Sequence, residues 1–147
     1  LFLYAPSGES YAVALKMHMA GLIRSSRTHV RLPHQDAPAG ESLAIAAQRW
    51  LQAAAVILVI LTPDLMASDE LLSLVKNAQD LGKRVIPIKA TDVDLVGSSL
   101  LGIAGFPRDE KALASLTKNG SRDTAYTKMV EELSKLSVYP PAARRAG

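Results

Sequence analysis

Ala53-Ala54-Ala55-Val56-Ile57-Leu58-Val59-Ile60-Leu61, closed by Thr62-Pro63-Asp64, is the stretch whose reading decides the fold. Nine consecutive apolar residues fall well short of the roughly 20 that a membrane helix needs. From Ala55 onward the run is rich in β-branched side chains, which favour an extended chain. A strand that is apolar at every position has no face to offer water, so it belongs at the centre of a parallel sheet covered on both sides. Thr62-Pro63 ends it.

Outward from that strand the periodicity changes from two to about 3.6. On its N-terminal side, Leu43, Ala47, Trp50, Leu51 and Ala54 share one helical face, predicting a helix from Glu41 to about Ala54. On its C-terminal side, Ser68-Asp69-Glu70 supplies a hydroxyl N-cap and acids for the first turn of a helix lined by Leu71, Leu74, Val75, Ala78 and Leu81. Gly82 stops that helix. Val85-Ile86-Pro87-Ile88 reads as a further strand, its proline favouring a peripheral place. Near the start, Leu1 to Tyr4 is a strand ended by Ala5-Pro6-Ser7-Gly8. Leu15, Met19, Leu22 and Ile23 predict a helix over about 10–24, and Thr28 to Leu32 predict a second strand. Pro33 to Gly40 reads as a loop. Residues 90–119 are glycine-spotted and weakly periodic, with a short helix expected near Ser99 and a short strand near Leu113. Asp123 is expected to cap a last helix carrying Tyr126, Met129, Val130, Leu133 and Leu136, which Pro140-Pro141 stops.

Strands alternating with helices through short connections imply an α/β fold: a flavodoxin-like three-layer sandwich, with a mostly parallel five-stranded sheet in the order 2-1-3-4-5 and helices on both faces. The expected domain spans 1–139, and 140–147 reads as a linker or tail. In such folds ligands sit beyond the C-terminal ends of strands one and three, here the loops after Tyr4 and after Leu61.

Composition narrows the function. The 147 residues are 48% hydrophobic and 21% charged, enough apolar content for one packed domain rather than a disordered chain. Seventeen basic against fourteen acidic residues, with aromatics at only 5%, argue against a dedicated nucleic-acid binder that stacks bases. The absence of cysteine excludes disulfides, thiolate metal sites and cysteine nucleophiles, and fits a reducing compartment such as the cytoplasm. No apolar run spans a membrane and no leader pattern is visible. The chain opens on Leu1, as expected of a segment from a longer protein. Neither a phosphate-cradling GxxxxGK[ST] nor a GxGxxG occurs. His18, His29 and His34 lack metal-ligand spacing, no GxSxG follows a strand, and the acidic pair of a receiver domain is missing, the first loop reading Ala5-Pro6-Ser7.

Five pieces in order resemble a bacterial TIR domain. They are Tyr4-Ala5-Pro6 after the first strand; His34-Gln35-Asp36-Ala37-Pro38-Ala39-Gly40-Glu41; the segment Ala54 to Ser68; Val85-Ile86-Pro87-Ile88; and Phe106-Pro107-Arg108-Asp109 with Asp123-Thr124-Ala125-Tyr126. The resemblance implies a domain that associates with copies of itself. Many bacterial members cleave NAD+, their substrate rather than a bound cofactor, at the nicotinamide-ribose bond once assembled, often in antiphage defence. Others serve as non-catalytic adaptors that signal by TIR-TIR contact.

In catalytic members one glutamate at the start of the third helix acts on the ribose. Nicotinamide leaves as a neutral group, so the chemical demand is to stabilise an oxocarbenium-like centre, which one carboxylate meets without a metal. The resemblance assigns that role to Glu70, with Asp69 next. It places Tyr4, Ala5, Pro6, Ser7, Asp36 and Ser68 at the ligand and Pro33, Pro38 and Gly40 at the contact with another subunit. It implies NAD+, like domains and the rest of a larger cytoplasmic protein as partners, with neither nucleic acid nor membrane. The chain departs from the family in one respect: Ser68-Asp69-Glu70 runs on directly where an aromatic or cysteine usually intervenes. From the residues alone, Asp69 and Glu70 also suit a helix N-terminus, Trp50 suits the core, and Arg24, Arg27, His29 and Arg31, clustered around the second strand, suit either a face toward phosphates or, more commonly, a solvated basic edge.

Overall fold

The computed structural model of the chain describes residues 1–25, 29–107, 112–116 and 120–138. Thr28 of the expected second strand, Arg27 of the basic cluster, Arg108-Asp109 and everything from Tyr139 onward, including the expected linker, lie outside them. Three strands form one parallel sheet in the order β1 (Phe2–Leu3), β2 (Val56–Leu61) and β3 (Arg84–Lys89). Leu58 stands opposite Phe2 on one side and Ile86 on the other. Seven helices accompany them among the described residues: α1 (Glu9–His18), α2 (Ala20–Arg24), α3 (Pro33–Asp36), α4 (Leu43–Ala53), α5 (Pro63–Met66), α6 (Asp69–Asp80) and α7 (Ser121–Val138). None is long and apolar enough to cross a membrane.

The two-sided burial expected of the central run is what the strand displays. Leu58 and Ile60 of β2 join Phe2, Tyr4, Ile86 and Ile88 in a core completed by α1 and α7. Ile57, Val59 and Leu61 join Leu3, Ala5 and Val85 in a second core beneath α4, α5 and α6. Successive side chains point to opposite faces, so one strand feeds both cores.

Of the five strands expected, three form ladders among the described residues, with a contact at each edge. Beyond β1, the Arg31 carbonyl accepts the Phe2 N–H at 3.0 Å, and the described residues of that segment form no ladder. Beyond β3, Phe106 makes an isolated parallel bridge to Ile88. The Lys89 N–H donates to the Phe106 carbonyl at 2.8 Å and the Phe106 N–H to the Pro87 carbonyl at 2.9 Å. Pro87 is tolerated because its nitrogen lies on that outer edge, where no bond of the β2–β3 ladder depends on it. Leu113, expected in a strand, sits instead in a one-turn 3-10 helix, Leu113–Ser115.

Other boundaries moved for local reasons. The first expected helix divides at Met19 into α1 and α2. The loop expected over Pro33 to Gly40 contains the single turn α3, because proline suits the first helical position and the Asp36 carboxylate accepts the Leu32 N–H at 2.7 Å. α7 starts at Ser121, so Asp123 lies in its first turn rather than at its cap. Around Ser99 the chain turns without forming a helix.

Gly105 is required by close approach. A Cβ there would stand 2.2 Å from the Pro87 carbonyl oxygen and 2.9 Å from its Cγ. Gly105→Ala is expected to destabilise the protein by about 2–3 kcal/mol through overpacking against backbone. Gly21→Ala, where nothing lies within 4 Å, is expected to be neutral or to stabilise α2 by up to about 1 kcal/mol. Urea midpoints of the two variants provide the comparison, and equal midpoints would contradict the Gly105 argument.

Candidate functional site at the strand ends

β1 ends in buried Tyr4 and Ala5, and a 3-10 turn over Pro6–Gly8 leads straight into α1. β2 ends in Thr62, whose hydroxyl caps α5 by accepting the Leu65 N–H at 3.4 Å. The two strands being neighbours, these loops meet at the C-terminal edge of the sheet.

Asp64 joins them. Its carboxylate accepts the Ser7 N–H at 3.1 Å, the Ser7 Oγ hydroxyl, the Thr62 hydroxyl at 2.5 Å and the Leu65 N–H at 3.2 Å. Partial burial would by itself raise the Asp64 carboxyl, but the Ser7 and Thr62 hydroxyls and the Ser7 amide outweigh it and hold the group at about 2. The donors expected of the Ser7 loop are thus already engaged by a carboxylate of the same chain. In the sequence Thr62-Pro63-Asp64 reads as a strand breaker, and the local signal for the clasp is its capping pattern.

Tyr4 turns toward a different neighbour. Its hydroxyl accepts the His34 N–H at 3.3 Å and its ring lies 5.2 Å from the His34 imidazole. Burial pushes the phenol up to about 12, so it is protonated at neutral pH. Tyr4 therefore braces α3 against the end of β1. Asp36, expected at the ligand, has one carboxylate oxygen occupied by the Leu32 N–H. Pro33, expected at a contact with another subunit, is buried within its own chain as the first residue of α3. Pro38 and Gly40 are exposed, Gly40 at φ 85 in the turn before α4.

Ser68 caps α6, its Oγ accepting the Leu71 N–H at 3.2 Å. Asp69 and Glu70 are exposed in the first turn. Glu70 lines a groove of about 710 Å³ between α4 and α6, beside Ile45, Gln48 and Arg49 on one wall and Ser73 and Asn77 on the other. Its lining includes none of Tyr4, Ala5, Pro6, Ser7, Asp36 and Ser68, and no aromatic ring. The structure thus gathers Ser7 with Asp64 and Tyr4 with His34, and sets Glu70 on a separate groove.

No protein-family model matches the sequence, and comparison with curated proteins gives no match. The structure is similar to the crystal structure of the TIR domain of the Toll-related receptor TRR-2 from the lower metazoan Hydra magnipapillata. The TM-score is 0.53 at 16% identity, over 71% of this chain and 78% of that one. At that identity the likeness is one of fold, and the chain has a TIR-like α/β fold.

The Asp64 clasp carries a sign. A carboxyl lowered on folding, here from 3.8 to about 2, adds stability that is fully present above pH 4 and fades as pH falls toward 2. Asp64→Asn is expected to lose on the order of 1 kcal/mol at pH 6, after allowance for solvent screening, and less at pH 2.5. Urea unfolding of both proteins at the two pH values measures the gap. A gap of the same size at both would show that the charge plays no part.

Proposed function

We propose that this chain is a TIR-type module that works by homotypic assembly through the turn before α4 and the outer face of that helix. The carrying observation is an apolar strip left open beside an ordered turn. Leu43 is 41% and Ile45 63% exposed on α4, directly after exposed Pro38 and Gly40. The Glu41 N–H donates to the Pro38 carbonyl at 3.0 Å, and Ser42 caps the helix. A turn already ordered loses little further freedom on docking, and exposed aliphatic side chains beside it supply the area to bury. The TIR-like fold is the context in which such a surface serves self-association, in line with the adaptor members of the family.

A second reading rests on Glu70. It stands exposed in the first turn of α6 on an open groove, where a carboxylate could stabilise a ribosyl cation as nicotinamide departs from NAD+. This would make the assembled module an NAD+-cleaving effector of the kind bacteria use against phage. Two observations favour the assembly reading over it: Asp64 already engages the Ser7 donors, and no ring lines the groove for nicotinamide or adenine to stack on.

Sedimentation across a concentration series, with nicotinamide release from NAD+ followed in the same samples, separates the two. Assembly predicts concentration-dependent association that Ile45→Glu weakens about tenfold or more, the loss of roughly 1.4 kcal/mol or more per contact. It further predicts no nicotinamide release, from the wild type or from Glu70→Ala. Release by the assembled wild type that Glu70→Ala abolishes would establish the second reading. A chain that stays monomeric at every concentration would overturn the first.

A further inference from the structure

Two arginines, Arg31 and Arg49, stand around the one tryptophan of the chain, Trp50. Trp50 is half-buried on α4, and its ring carries two guanidinium groups. The Arg49 carbon lies 5.4 Å and the Arg31 carbon 5.8 Å from the ring centroid. Each contact is attractive, but the two cations repel each other around a single indole.

The neighbouring carboxylates compensate one cation. Glu41 pairs with Arg49, and Asp36 holds the Leu32 N–H. Among the described residues no carboxylate forms an ion pair with Arg31. Arg31 is also placed to reach a ligand. His29 and Arg31 are exposed while Val30 and Leu32 are buried, so the extended backbone turns both basic side chains outward. The backbone is held independently of the side chain, since the Arg31 carbonyl accepts the Phe2 N–H at 3.0 Å.

We propose that this edge is an anion site for a diphosphate group, held by Arg31 and Arg49 at the rim of Trp50. The guanidinium fork matches phosphate oxygens two at a time, and stacking on the indole restricts how far each fork can turn. With the two forks 5.8 and 5.4 Å from one ring centroid, an anion of two linked phosphates offers a separate group to each. Arg31, whose charge Glu41 does not offset, supplies the main attraction for the anion, and Arg49, paired with Glu41, a second donor beside it. The site lies on the α4 side of the β1 edge, apart from the Asp64 clasp, and the inference does not depend on the assembly reading.

As the only tryptophan, Trp50 reports its own occupancy. Titrating the full chain with inorganic pyrophosphate is expected to change its fluorescence saturably, with a dissociation constant of about 1 mM or tighter. Arg31→Met, which keeps the aliphatic stem, should weaken binding at least about tenfold, and Arg31→Lys less. Circular dichroism and the melting temperature check that both variants fold. ADP run beside pyrophosphate distinguishes the source: equal affinity assigns the site to the bare diphosphate, tighter binding of ADP to a nucleotide. The proposal is overturned if sodium chloride at matched ionic strength reproduces the response, if no saturable change occurs, or if folded Arg31→Met binds pyrophosphate as the wild type does.

Discussion

β2 has no side that faces water. All six of its residues pair with β3 and two of them, Leu58 and Val59, also with β1, and their side chains alternate between two cores. A strand of that kind can be satisfied only where helical layers cover both faces of the sheet. From this follow α1 and α7 above, α4 and α6 below, and the meeting of loops at the C-terminal edge. Truncating a fully buried residue such as Ile57 or Ile60 would open a cavity between layers, the kind of change that costs about 2–5 kcal/mol.

The same constraint explains why the polar features cluster where they do. With both faces of the sheet covered, the loops at the strand ends and the outer helix surfaces are left to carry polar chemistry. At the strand ends, one carboxylate collects donors from two loops and stays ionised into acid. On the outer surface of α4 and α6, Glu70 faces an open groove, and around Trp50 two arginines share one ring. The Asp64 clasp stands apart from the other two, whereas Arg49 belongs both to the groove that Glu70 lines and to the ring of Trp50.

Much of the architecture was legible in the residues. The central run, the helix line of Leu71, Leu74, Val75 and Ala78, and the stop at Gly82 each rest on a pattern within a single element, and each stands where the pattern put it. The edges were less legible. Val30 to Leu32 and the chain near Phe106 lie where strands were expected or needed, yet whether a segment forms a ladder or a single bond depends on its neighbour's register. Ser68 was readable as a cap because a cap is local. The partner of Ser7 is 57 residues away, and no local pattern announces it.

What the sequence by itself determined is therefore the class: an α/β chain with one strand buried on both faces, no cysteine chemistry and no phosphate loop. These follow from side-chain period and composition, which are properties of neighbours in the chain. Which residues share a site was decided only by the tertiary structure. It turned Ser7 toward Asp64, Tyr4 toward His34, Glu70 onto the groove beside α4, and Arg31 and Arg49 onto Trp50. Side chains distant in sequence are brought together by how layers pack and how loops close, and that geometry is set by the whole core rather than by any one segment.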